Sequence, residues 1–146
     1  MLRATPGQLD AIRRHAEDAY PQECCGFLLG SAREDVKEVV RLVPAENERK
    51  DSADRRYLIS PEAYLSAERD ASARGLDIIG FYHSHPDHPA RPSEFDRVHA
   101  LPWCSYIIVS VQAKQAGDLT SWVLSEGHRF DAEPVETFLP ADKEIA

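Results

Sequence analysis

The sequence predicts a single mixed α/β domain. Two observations support this fold class: short apolar runs typical of buried strands alternate with segments of helical periodicity, and no repeat, low-complexity stretch or interdomain linker divides the chain. The 146 residues suffice for one ordinary domain, and a hydrophobic content of 42% suffices for a buried core.

The first predicted element is a helix that runs to about Tyr20. Thr5 and Gln8 have the spacing of a capping box, and Pro6 occupies the first helical position. Apolar residues follow at helical spacing, and Pro21 ends the pattern because proline disrupts a helix.

Two strands and a polar loop come next. The apolar run 24–30 predicts a buried strand, and the run 36–43 predicts a second strand that ends at Pro44. The polar segment 44–56 is typical of an exposed loop, and residues 57–59 predict a brief third strand.

The second half of the chain continues the alternation. Ser60 and Pro61 begin a second helix, which Gly75 ends. The almost wholly apolar run 78–83 predicts a central strand, the proline-rich segment 86–92 predicts a loop, and Ser93 begins a third helix. Further strands are predicted at 106–111, at 119–124 and near 129–130, so that residues 1–137 form the domain and residues 138–146 a loose tail.

The composition argues against nucleic-acid and membrane partners. The formal net charge is -8, whereas nucleic-acid affinity comes mainly from clustered basic residues. No apolar stretch approaches the roughly 20 residues of a membrane span. Cys24 and Cys25 are adjacent and poorly placed to pair, so a reducing cytoplasm is expected. The sequence does not indicate the oligomeric state.

A group of metal-ligand residue types follows the central strand. His83 and His85 are two residues apart, so both imidazoles face one side of a strand, and Asp96 lies in the first turn of the helix that Ser93 begins. Three such ligands leave a fourth position for water, as catalytic zinc requires. Each piece alone has a plainer interpretation: a histidine pair on a strand is often structural, and Ser93 with Asp96 forms an ordinary capping box.

Taken together, these residues resemble the signature of the JAMM (MPN-plus) metalloproteases. The signature elements are His83-Ser84-His85-Pro86, then Ser93-x-x-Asp96, with Glu23 far upstream. The runs 21–30 and 78–82 are also similar to the family pattern, and the resemblance extends over about residues 5–125.

The resemblance implies a fold and a role for each residue. The implied fold is a curved sheet flanked by helices, similar to that of cytidine deaminases. His83, His85 and Asp96 would bind Zn²⁺, Glu23 would be the general base, and Ser93 would donate its hydroxyl to the oxyanion.

The short chain is most similar to the compact prokaryotic branch of the family. That branch includes peptidases that release cysteine from a sulfur-carrier protein and isopeptidases that remove ubiquitin-like modifiers from lysine; both cleave after a C-terminal Gly-Gly. The run 21–26 is slightly more similar to the former, and the segment 47–57 is a candidate wall for the Gly-Gly tail. A non-catalytic MPN scaffold is an alternative. A zinc nucleobase deaminase is disfavoured because it needs His-x-Glu and Cys-x-x-Cys, which this chain lacks.

Overall fold

An eight-stranded mixed sheet and three helices are present in the part of the chain that the structure describes. A computed structural model of the chain describes residues 1–49 and 57–139. The strands are β1 (Leu2–Ala4), β2 (Cys25–Arg33), β3 (Val36–Ala45), β4 (Asp77–Pro86), β5 (Ser105–Gln112), β6 (Gln115–Leu124), β7 (Phe130–Glu133) and β8 (Val135–Thr137). The helices are α1 (Pro6–Ala19), α2 (Pro61–Ala73) and α3 (Glu94–His99).

The sheet has the strand order β7-β6-β5-β4-β2-β3-β1-β8. The pairs β4–β5, β1–β3 and β1–β8 are parallel and the others are antiparallel. The predicted mixed α/β domain is therefore confirmed, and the apolar strand β4 is central, with β2 on one side and β5 on the other.

The helix ends follow the predicted capping chemistry. The Thr5 hydroxyl accepts a hydrogen bond from the Gln8 backbone N–H at 3.1 Å, and the Gln8 side chain accepts one from the Thr5 N–H at 2.8 Å. Ser60 caps α2 with its hydroxyl alone, which accepts a hydrogen bond from the Ala63 N–H at 3.1 Å. Gly75 follows this helix with φ of 68°, a conformation that glycine adopts without steric cost.

Side chains that alternate along the strands form two cores, one on each face of the sheet. Leu28, Tyr82 and Ile107 pack with α1 on one face. Their strand neighbours, such as Phe27 and Phe81, pack with α2 on the other. Neighbouring residues of a strand face opposite sides of the sheet. This alternation therefore also determines which polar side chains of β4 face α2.

The structure differs from the sequence prediction at three places. Residues 57–59 form no strand. Leu58 makes only isolated hydrogen bonds, from its N–H to the Asn47 side chain and from the Glu48 N–H to its carbonyl, and these do not form a ladder. Strands β1 and β8 were not predicted. Residues 50–56 of the predicted loop and 140–146 of the predicted tail lie outside the described residues.

No helix in the described part of the chain is both long and apolar enough to cross a bilayer.

Candidate metal and hydrolase site

His83 and His85 lie near the end of β4 and face α2. Register pairs His83 with Cys25 of β2 on one side and with Ile108 of β5 on the other. Both imidazoles are buried, with exposed fractions of 0% and 8%. Ser84, between them, faces the opposite side and accepts a hydrogen bond from the Cys24 N–H at 2.8 Å.

Asp96 reaches the same point from α3. Its backbone N–H donates to the Ser93 hydroxyl at 3.0 Å, and its own Oδ2 accepts from the Ser93 N–H at 2.8 Å. This capping box orients the carboxylate toward the two histidines. The capping interpretation of Asp96 is thus confirmed, and the ligand interpretation is compatible with it, because the capping carboxylate also faces the two histidines.

The three side chains form a compact donor set. The Nε2 atoms of His83 and His85 are 3.2 Å apart, and they lie 3.3 Å and 3.1 Å from the Oδ1 and Oδ2 atoms of Asp96. Ligand atoms bound to zinc at about 2.0–2.1 Å and tetrahedral angles are roughly 3.3–3.4 Å from one another. The donor set fits a tetrahedral metal with little movement.

Hydrogen bonds orient the imidazoles for this purpose. The His85 Nδ1 lies 2.9 Å from the Pro89 carbonyl oxygen. Because a carbonyl only accepts, Nδ1 carries a proton, and Nε2, which faces Asp96, is the ring nitrogen that would bind a metal. His83 stacks on Tyr57 with ring centroids 4.7 Å apart, and its buried Nδ1 has no hydrogen-bond partner among the described residues. Leaving a buried polar atom unpaired costs about 1–3 kcal/mol.

The charges of the cluster stabilise one another. Burial by itself would raise the pKa of Asp96, but the nearby His83 and hydrogen bonds from His83, His85 and Ser93 hold it well below its usual range. Burial likewise opposes protonation of His85, yet the hydrogen bonds to Asp96 and to the Pro89 carbonyl raise its pKa overall. A permanent carboxylate beside two imidazoles is a suitable environment for a divalent cation.

Glu23 lies across from His85 at the start of β2. Cys25 pairs with His83, and the Ser84 N–H donates to the Cys24 carbonyl at 3.2 Å. Continuing this antiparallel register places Glu23 opposite His85, on the face that Cys25 shares with the metal-ligand residues. Glu23 is 4% exposed, and its carbonyl accepts a hydrogen bond from the Asn47 side chain at 3.1 Å.

Two cavities adjoin the cluster. The first, of about 310 Å³, is lined by Glu23, His85, His88, Pro89, Arg91 and Ser93. It thus joins the predicted base, one predicted ligand and the predicted oxyanion donor. The second, of about 220 Å³, contacts the cluster through Asp96 and includes Arg49, Tyr57 and Phe95. The described ends of the predicted 47–57 wall border this second cavity. No sequence motif indicated the stacking of Tyr57 on His83 or the place of Arg91 in the first cavity.

Comparisons with known proteins agree with this arrangement. A model of the family of prokaryotic homologues of the JAB domain matches residues 5–125. The chain is 35% identical over 104 residues to desampylase of Haloferax volcanii. The aligned segment covers 67% of this chain and 70% of that protein. It is 33% identical over 116 residues to the "Probable TtuB-protein conjugate cleaving protease" of Thermus thermophilus, with 80% and 74% covered.

A third relative is much longer than the matched segment. The tail tip assembly protein K of Escherichia phage N15 is 35% identical over 99 residues, which is 65% of this chain, and the chain spans 36% of the phage protein.

Solved structures share the whole fold. A protein from Desulfitobacterium hafniense has a TM-score of 0.85 at 29% identity, with 98% of this chain and 97% of that chain covered. A JAB1/MPN domain protein from Archaeoglobus fulgidus has a TM-score of 0.60 at 21% identity, with 95% and 98% covered. The latter likeness confirms the predicted fold, a curved mixed sheet flanked by helices.

Proposed function

Because the chain belongs to the family of prokaryotic homologues of the JAB domain, we propose that it is a metal-dependent hydrolase that acts after the C-terminal Gly-Gly of a ubiquitin-like or sulfur-carrier protein. The observation that carries this proposal is the convergence of His83, His85 and Asp96 beside a cavity that also contains Glu23 and Ser93. The names of the Haloferax and Thermus relatives support a conjugate as the substrate.

The metal in this proposal is Zn²⁺, held by His83 Nε2, His85 Nε2 and a carboxylate oxygen of Asp96. Two imidazoles and one carboxylate are a donor set that zinc accepts in catalytic sites, where one position stays open. Zinc supplies Lewis-acid polarisation and a water of lowered pKa.

Glu23 serves as the general base. Its carboxylate lines the cavity beside His85, so it can accept a proton from the attacking water and return that proton to the departing amine. The register between β2 and β4 holds Glu23 at this place, and the Asn47 hydrogen bond to its carbonyl restrains the backbone.

Ser93 serves as the oxyanion donor. Its oxygen already accepts a hydrogen bond from the Asp96 N–H, so its own proton remains available to a group in the cavity. A substrate carbonyl oxygen that gains negative charge in the transition state would accept that proton's hydrogen bond.

The carrier tail would occupy the cavity between Tyr57 and Phe95. Glycines carry no side chains, so an extended Gly-Gly can pass through a narrow space that larger residues cannot enter. Residues 1–137 form the catalytic domain in this proposal, and β8 ends at Thr137. A cytoplasmic location is supported by Cys24, Cys25 and Cys104, which are all free.

A non-catalytic scaffold is the second candidate function. It is disfavoured because a scaffold has no need of a buried acid, a hydroxyl and three convergent donors around one cavity. Metal content separates the two candidates, since only the enzyme depends on a bound ion.

The test compares the wild-type chain with His85→Ala and Glu23→Gln. Wild-type protein is expected to hold about one zinc per chain and to cleave a ubiquitin-like protein extended past its Gly-Gly, with loss of cleavage on chelation. His85→Ala should lose both metal and cleavage, whereas Glu23→Gln should keep the metal and lose roughly 10²–10⁴-fold in rate. A wild-type protein that takes up no metal, even after reloading, would refute the enzyme and favour the scaffold.

A further inference from the structure

A cationic groove adjoins the cavity that contains Glu23. The groove has a volume of about 350 Å³, and its lining includes Arg91, Ser93, Glu94, Arg97, Trp122 and Arg129. Arg91 and Ser93 line both spaces, so the groove and the cavity are continuous at these two residues.

The groove carries an uncompensated positive charge. Arg97 forms an ion pair with Glu94, so that these two charges cancel. Arg91 and Arg129 have no ion-pair partner anywhere in residues 1–49 or 57–139. Two unpaired guanidinium groups beside one cavity are notable in a chain whose formal net charge is -8. A guanidinium binds a carboxylate through two parallel hydrogen bonds, and carboxylate is therefore the ligand chemistry that this groove favours.

The backbone that carries Arg91 is held in place from both sides. The Thr120 hydroxyl donates to the Ala90 carbonyl at 2.7 Å, and the Arg91 N–H donates to the Pro89 carbonyl at 2.9 Å. Thr120 in turn accepts a hydrogen bond from the Trp122 indole at 2.8 Å. The groove's aromatic wall and the loop bearing Arg91 are thus joined, so the guanidinium projects from a fixed base.

We propose that Arg91, assisted by Arg129, binds a carboxylate on the departing side of the substrate and so selects the acceptor. This inference rests on the proposed function. The Tyr57–Phe95 cavity, assigned above to the carrier tail, meets the metal-ligand cluster through Asp96, whereas the cationic groove is reached through Ser93. The arginines therefore contact the part of the substrate that leaves with the amine. The carboxylate comes either from the α-carboxyl of a single amino acid after the Gly-Gly or from an acidic side chain beside an acceptor lysine.

The test uses two matched pairs of substrates. In the first, the carrier ends in Gly-Gly followed by one amino acid, as the free acid or as the carboxamide. In the second, the Gly-Gly is joined to a lysine whose neighbours in a peptide are Glu or Gln. Wild type, Arg91→Gln and the control Arg14→Gln are compared; Arg14 is an exposed residue of α1, on the other face of the sheet.

The wild-type chain should prefer the acid member of one pair by about tenfold in kcat/KM, the order expected for a hydrogen bond between charged groups. Arg91→Gln should remove that preference by slowing only the acid substrate, and Arg14→Gln should retain it. In a Glu23→Gln background, which binds without turnover, Kd should show the same pattern. The pair that responds identifies the source of the carboxylate.

Two outcomes overturn the inference, and they differ in what they leave standing. If wild type shows no preference in either pair, or if Arg91→Gln slows acid and neutral substrates alike, the acceptor subsite is refuted while the hydrolase remains. If wild type with bound metal cleaves no member of either pair, both the inference and the proposed function fail.

Discussion

Replacing Ser93 by glycine separates two roles that the serine combines. Its oxygen caps α3 by accepting the Asp96 N–H at 3.0 Å, and its hydroxyl lines the cavity with Glu23 and His85. Glycine is an acceptable N-cap and costs only a few tenths of a kcal/mol relative to serine, whereas alanine costs about 1 kcal/mol. Ser93→Gly therefore removes the hydroxyl with little loss of stability.

The expected magnitudes differ enough to be resolved. Loss of one oxyanion donor lowers kcat by about 10²–10³-fold, or ~2.7–4 kcal/mol. For a chain of this size, 1 kcal/mol of stability corresponds to roughly 3 °C in Tm. Ser93→Gly and Ser93→Ala should therefore show the same loss of kcat, and only the alanine variant should melt measurably lower.

The assay is single-turnover cleavage of the Gly-Gly-extended carrier by metal-loaded protein, with metal content and thermal unfolding measured on the same samples. Ser93→Thr keeps both hydroxyl and cap and should remain within a few-fold of wild type. A Ser93→Gly variant that retains metal and full kcat would refute the oxyanion role. Loss of metal in that variant would instead assign Ser93 to the orientation of Asp96.

A backbone contact, a buried thiol and the metal-ligand cluster each have a measurable effect on stability. Gly80→Ala should cost about 1–3 kcal/mol or more, because a Cβ there would lie 2.1 Å from the Ser105 carbonyl oxygen. Gly117→Ala, with its nearest contact at 4.0 Å, is the control, and equal Tm values would contradict this packing. Burial raises the pKa of the Cys24 thiol from 9.0 to about 12. Above pH 9 only the unfolded chain loses this proton, so the stability that the buried neutral thiol contributes is complete below pH 9 and is lost as the pH rises through 12. The 240 nm difference between wild type and a Cys24→Ser variant, in which tyrosinate absorbance cancels, should therefore appear only with unfolding, and such a difference in folded protein at pH 10 would disprove it. Zinc at 100 times its Kd should stabilise wild type by about 2.7 kcal/mol but leave His85→Ala unchanged; an equal rise in Tm for both would place the ion elsewhere.

Local patterns predicted most of the secondary structure correctly. The capping residues Thr5 and Ser60 act within one helical turn, and the apolar run of β4 makes its burial evident without knowledge of its neighbours. The failures are short and depend on distant partners. Strand β1 has three residues and exists because it pairs with β3 and β8, more than 30 and 130 residues away. Residues 57–59 have the composition of a strand but form no hydrogen-bond ladder with a neighbouring strand.

The candidate site divides in the same way. The pattern His-x-His and the Ser93–Asp96 capping box are local, and the resemblance to the JAMM signature joins them to Glu23 from the sequence alone. Tyr57 was predicted only as the end of the 47–57 wall and Arg91 only as part of a loop, because a loop arginine and a tyrosine after a polar segment have no distinctive pattern. Their importance arises from what surrounds them: Arg91 borders two connected spaces, and Tyr57 stacks on His83.

Near neighbours along the chain specify most of the elements, their caps and the identities of the residues that could bind a metal. The three-dimensional fold is needed to show that Glu23 lies opposite His85, that Asp96 approaches both imidazoles, and that Arg91 and Arg129 lie beside the cavity. Those placements depend on the β2–β4 register and on the loop after β4. Sheet register is set by packing over the whole face, so no short segment contains that information.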